Sequence, residues 1–114
     1  MSNAKAQFLY GTNALQPLHA VVNAAAGAST DIVALTAGKK IRVLSYVLTC
    51  ETASGTLIFK SDTTGITGTM TLADNGSLVA AFTPVGHFET ASGKKLALTT
   101  VGSSIQGHIT YTLV

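Results

Sequence analysis

His87 and Glu89 stand two residues apart, and a strand sets such positions on one face. An imidazole and a carboxylate so placed could begin a metal site, which needs three or four ligands in all. A further ligand would have to come from His19, His108 or an Asp, and no spacing points to one. We therefore expect no metal. The five acids, Asp31, Glu51, Asp62, Asp74 and Glu89, are spread singly along the chain. Glycoside hydrolysis needs two carboxyls flanking one bond. Glu51 and Glu89 open two like segments, ETASG at 51–55 and 89–93, and would serve only if both turns met at one end of the fold. Solvated turn residues are the simpler reading, and coincident turn chemistry explains the repeat, whose flanks do not match. No G-x-S-x-G elbow, H-E-x-x-H or Gly-rich phosphate loop is present. Trp is absent, and Tyr46 and Tyr111 fall in core-like patterns, so aromatic platforms for sugars are missing. The expectation is a protein with no catalytic residues and no cofactor.

The composition points to association. Hydrophobic residues make up 46% of the 114 residues and charged residues only 11%, against a usual quarter or so. Disordered chains lack apolar residues and carry net charge, the reverse of this pattern. A surface with so few charges is expected to be covered in part by other subunits, since interface cores exclude charge. The net charge of +2 and the basic pairs Lys39/Lys40 and Lys94/Lys95 form no Arg-rich or aromatic-interleaved patch, so nucleic acid is not an expected partner. Cys50 is alone and reads as a small buried hydrophobe. No stretch of about eighteen apolar residues suggests a membrane-spanning helix. MSNAKAQF lacks the shape of a secretory signal, so synthesis in a cytoplasm is expected.

The elements follow from period-two patterns. Lys39 to Cys50, KKIRVLSYVLTC, is rich in β-branched and aromatic residues without Gly or Pro, and reads as the central strand. Alternation sets Ile41, Val43, Ser45 and Val47 on one face and Arg42, Leu44, Tyr46, Leu48 and Cys50 on the other. Both faces are apolar, which calls for a sheet on one side and another body, such as a neighbouring subunit, on the other. Further strands are expected at 19–26, 31–35, 56–61, 66–72, 78–82, 95–99 and 105–113. Ile66, Gly68, Met70 and Leu72 alternate there with outward threonines. In the last strand Ile105, Ile109, Tyr111 and Leu113 face the core, while His108 and Thr110 face out. Asp74-Asn75-Gly76 marks a turn. About eight short strands and no helix predict an all-β fold, a β-sandwich of jelly-roll or Greek-key type over residues 19–114. Residues 1–18 hold Phe8, Leu9, Tyr10, Leu15 and Leu18 among turn formers. They read as an extended N-terminal arm that docks on a partner or, alternatively, as a first edge strand.

From Gly38 onward the chain resembles a small structural module of tailed bacteriophages. The resemblance rests on the basic-flanked strand, TLIFKS, the run Gly68, Met70, Leu72, Asn75, Gly76, then Pro84, Gly86, Phe88, Glu89, Thr90, and finally Gly93, Leu96, Leu98. It covers about residues 38 to 114 and carries no catalytic residues. It implies a virion protein made in the host cytoplasm. The expected role is capsid decoration (cement), binding and bracing the outside of the assembled capsid through the major capsid protein. A tail- or fibre-associated receptor- or glycan-binding head is the alternative. Phe8, Leu9, Tyr10 and Leu15 are the expected capsid contacts, and a homo-oligomer, a trimer by preference, is the expected assembly.

Overall fold

The computed structural model describes residues 8–10, 13–51 and 53–114, with side chains from Leu15 onward. Among these residues there are twelve strands and no helix: β1 (Phe8–Tyr10), β2 (Asn13–Leu15), β3 (Leu18–Ala24), β4 (Ser29–Val33), β5 (Ile41–Cys50), β6 (Gly55–Ser61), β7 (Thr64–Gly65), β8 (Met70–Leu72), β9 (Ser77–Ala80), β10 (Phe88–Glu89), β11 (Leu96–Val101) and β12 (Ile105–Leu113). Ten of them form two antiparallel sheets. In the first, β3, β12 and β5 lie side by side, and the far edge of β5 takes both β9 and β10. In the second, β4, β11 and β6 lie side by side, and the far edge of β6 takes both β7 and β8. The chain crosses between sheets from β3 to β4, β4 to β5, β5 to β6, β8 to β9, β10 to β11 and β11 to β12. Two four-position sheets exchanged in this way are a jelly roll. The eight strands expected from the sequence are these eight positions, two of them filled by paired short pieces.

β5 is central, as its composition requires, but its faces are not those of strict alternation. Thr110 pairs with Ser45 and Tyr111 with Val43, so Leu44 is an extra residue on β5. Such a bulge shifts the phase of everything after it. Ile41 and Val43 face the core before it, and Tyr46, Leu48 and Cys50 face the core after it. Ser45 and Val47 therefore point outward, away from the face that holds Ile41 and Val43. Leu44 is fully buried yet stands outside the main core cluster.

The core lies between the sheets and is filled from both. Val22, Ile41, Val43, Leu48, Ile105 and Ile109 come from the first, and Leu57, Phe59, Leu96 and Leu98 from the second, all 1% exposed or less. Tyr46, Phe59 and Phe88 join the sheets through ring contacts, with centroids 5.6 Å (Tyr46–Phe59) and 4.9 Å (Phe59–Phe88) apart. Tilted pairs at this range add to simple burial. Burial pushes the Tyr46 phenol pKa up. Cys50 is buried as expected, its thiol donating to the Ala53 carbonyl at 2.7 Å.

Several expectations shift. The strand expected at 66–72 is only β8. Residues 66–69 leave the ladder because the Thr67 hydroxyl accepts the Phe59 N–H at 3.1 Å, a side chain taking the place of a neighbouring strand's carbonyl. β4 starts at Ser29, two residues before the expected start, and Leu35 lies beyond its end and exposed. Thr110 points away from the core, but it is only 9% exposed and hydrogen-bonds His19 Nδ1 at 3.2 Å. The described part of the arm is a hairpin in which β1 pairs with β2, Phe8 opposite Leu15, and neither strand enters a sheet of the sandwich.

Candidate interaction surface

The residues singled out for chemistry do not converge. His87 Nε2 lies 2.8 Å from the Ala81 carbonyl. Glu89 is engaged elsewhere: Arg42 donates to its Oε1 at 3.0 Å, and Lys40 Nζ lies 3.3 Å from Oε2. Burial pushes the Glu89 carboxyl pKa up, but the hydrogen bonds and charges of Arg42 and Lys40 outweigh it and hold the pKa below the ordinary value. Among the described residues, no three His, Cys, Asp or Glu side chains gather closely enough to hold a metal ion. Glu51 and Glu89 do not meet at one end. Glu89 pairs with Arg42 at the start of β5, whereas Glu51 follows its last residue and accepts a hydrogen bond from Gln106 at 3.2 Å. The length of β5, about 3.3 Å per residue, separates the two carboxyls far beyond the reach of a glycosidase pair.

Of the expected arm contacts, Leu15 is buried within its own chain at 6% exposure. The side chains of Phe8, Leu9 and Tyr10 lie outside the described residues.

What the fold does assemble is a face. On the first sheet, register aligns Val21 with His108, His108 with Val47, and Val47 with Val79. The rows beside it align Asn23, Gln106, Thr49 and Ser77 on one side, and His19, Thr110 and Ser45 on the other. These outward positions hold no Asp, Glu, Lys or Arg. Val21 is 79% exposed and Val79 64%. The opposite sheet differs: its outer face carries Lys60 and Asp31, and Lys95 Nζ sits 3.0 Å from Asp31 Oδ1 and 3.9 Å from Asp62 Oδ1. The first sheet carries its outward charge at one end, where Lys40 and Arg42 hold Glu89, and the three rows that run from β3 to β9 are neutral and valine-studded. Exposed apolar groups gathered on one neutral face mark an interaction surface.

Sequence reading named His108 and Thr110 as outward but did not see this face. Its four valine and histidine positions lie on four strands scattered from residue 21 to residue 108. The available signal was the lack of charge at Ser45, Val47 and Thr49 of β5 and at the outward positions of β3, β9 and β12.

A hollow of about 270 Å³ lies at the far edge of the second sheet, lined by Ser61, Asp62, Thr63, Thr64, Ile66, Ala91 and Lys94. The Ser61 hydroxyl there accepts the Ala91 N–H at 3.0 Å.

The molecule is thus a jelly-roll sandwich whose residues build surfaces. No protein-family model matches the chain, and no curated protein matches it. Among solved structures, a chain of Bacillus endospore appendages, described as a novel family of disulfide-linked pili, aligns over 87% of this chain and 85% of its own, at 17% identity and a TM-score of 0.49. That degree of likeness decides nothing about the role of this chain. The phage resemblance accordingly rests on its motif residues, which the fold uses structurally. Asn75 takes a positive φ at its turn, and Thr90 clamps Ile41, its hydroxyl accepting the Ile41 N–H and its own N–H reaching the Ile41 carbonyl, each at 3.0 Å.

Proposed function

We propose that this protein is a non-enzymatic structural protein that decorates the outside of an assembled phage capsid and braces it, bound to the major capsid protein. The observation that carries the reading is the uncharged stretch of outer surface where β3, β12, β5 and β9 lie side by side. A face with Val21, Val47 and Val79 at its centre and amide or hydroxyl groups around them fits a protein partner. The apolar row supplies burial of about 25 cal/mol per Å², and Asn23, Gln106, Thr49 and Ser77 satisfy polar groups at the rim. Many copies acting on one shell turn modest single contacts into lasting occupancy. The arm, through Phe8, Leu9 and Tyr10, adds to that grip in this reading.

The test mixes purified protein with undecorated capsids and follows co-sedimentation and survival on heating. Wild type should pellet with capsids and raise their disruption temperature. Val79→Lys, which sets a charge in the valine row of the face without touching the core, should weaken binding at least tenfold. Binding unchanged by Val79→Lys would remove the face from the argument.

A second reading is favoured by the hollow near Asp62. Three hydroxyls, a carboxylate and an ammonium over Ile66 are groups that hold a sugar, as a glycan-binding head on a tail or fibre would. Glycan-array binding abolished by Asp62→Ala, with no capsid binding, would select it.

A further inference from the structure

Each sheet of the sandwich has two edges, and an edge strand offers its free backbone groups to any strand that can reach them. Three of the four edges are guarded. On β4 the central residue is Asp31, so a two-fold approach would set two carboxylates against each other. The edge formed by β9 and β10 is broken by residues 81–87, where Pro84 and Gly86, at φ +88°, carry the chain off the line of the sheet. The edge formed by β7 and β8 consists of pieces of two and three residues, separated where Thr67 replaces the ladder. β3 differs from all of these. It is seven residues long, LHAVVNA, without charge, proline or a register shift, and among the described residues it pairs with β12 alone.

We infer that β3 is a self-association edge: two copies of this chain pair antiparallel through residues 18–24 about a two-fold axis at Val21, making one continuous sheet of twice the width. In that register Val21 meets Val21 of the partner subunit, His19 meets Asn23 of the partner subunit, and Ala20 meets Val22 of the partner subunit. No like charges face each other, and the β-branched valines pair well across strands. The second copy is favoured over an unrelated strand because the edge is complementary to itself. Every one of its cross-strand pairs is neutral or hydrogen-bonding. The two-fold also uses the free edge of both partners and closes, which gives a dimer. Exposure agrees, since Val21 at 79% is the most exposed large apolar residue described. The inference does not depend on the capsid reading, although the dimer would present the neutral face twice over.

The experiment is light scattering after size exclusion of the full chain at micromolar to high micromolar concentration. Wild type should run near twice the 11.6 kDa chain mass. Val21→Lys, which sets two ammonium groups together at the axis, should run as a monomer that still unfolds cooperatively in urea, at a midpoint that does not vary with protein concentration. Val79→Lys, at the other side of the same sheet, should stay dimeric. Hydrogen exchange of wild type supplies a readout that needs no variant: amides of residues 18–24 should gain protection as concentration rises. A wild-type monomer throughout the range, a trimer, or a Val21→Lys dimer would each overturn the inference. Capsid binding by a wild-type monomer would overturn it while leaving the proposed function standing.

Discussion

Gly107 of β12 and Val47 of β5 meet backbone to backbone, so closely that a Cβ on Gly107 would run into the Val47 carbonyl oxygen. Gly107 also holds φ +148°, which L side chains rarely adopt. Gly107→Ala should therefore cost at least about 1–3 kcal/mol from backbone strain, before the clash is counted. Gly68 has no atom within 4 Å of an added Cβ and no positive φ. Gly68→Ala should stay within about 0.5 kcal/mol of wild type. Urea midpoints of the two variants measure the contrast.

The last strand separates what alternation can and cannot reveal. Ile109 was legible as core and is 0% exposed, so Ile109→Ala should cost about 2–5 kcal/mol. Thr110 was legible as outward, which would make its hydroxyl dispensable. Its burial and its hydrogen bond to His19 become visible only with the register of β3 against β12. Thr110→Val keeps the volume and removes the bond, and should cost about 0.5–1.5 kcal/mol. Equal losses at 109 and 110 in thermal unfolding would contradict this arrangement.

More broadly, the strands and the jelly-roll class were legible because hydrophobic period and turn residues are local signals. The face assignment of β5 was not, because a single extra residue, Leu44, reverses alternation and shows only in the pairing of Thr110 and Tyr111 with their partners. The neutral face lay hidden for the same reason: placing Val47 beside His108 and Val79 requires that bulge.

Thr67 offers a test of the broken strand. Its hydroxyl satisfies the N–H of fully buried Phe59. Thr67→Val keeps the shape and leaves that N–H without its partner, at a cost of about 1–3 kcal/mol. Thr71, exposed on β8, is the control, and Thr71→Val should change the midpoint little. Hydrogen exchange at Phe59 should rise in the first variant only.

Glu89 gives the fold a pH dependence. Its folded-state pKa lies below the ordinary 4.5, so at mildly acid pH the folded chain binds fewer protons than the unfolded one. Its contribution is complete above the ordinary Glu range and is lost as pH falls through the lower folded value. The stability gap between wild type and Glu89→Gln should be constant from neutrality to about pH 5.5 and shrink below about pH 4.5. Added salt should narrow it as well, because the carboxyl is about one-third exposed and its ion pairs are screened. A gap that widens on acidification would contradict the pairing with Lys40 and Arg42.

The arm can be tested apart from the sandwich. Among the described residues β1 and β2 pair only with each other, so neither sheet loses a described strand when residues 1–17 are removed. The truncated chain should unfold cooperatively. It should do so at a lower temperature, because Leu15 is buried in the intact protein, and each kcal/mol lost is worth about 2–8 °C in a domain of this size. Since β3 begins at Leu18, the truncated chain should keep the self-association of wild type. If the arm contributes to the grip on a capsid, truncation should lower co-sedimentation while the Val79→Lys effect persists in the remaining binding. The two changes combined should then add in free energy, as separate contacts do. A truncated chain that binds capsids as well as wild type would assign the whole of the contact to the neutral face.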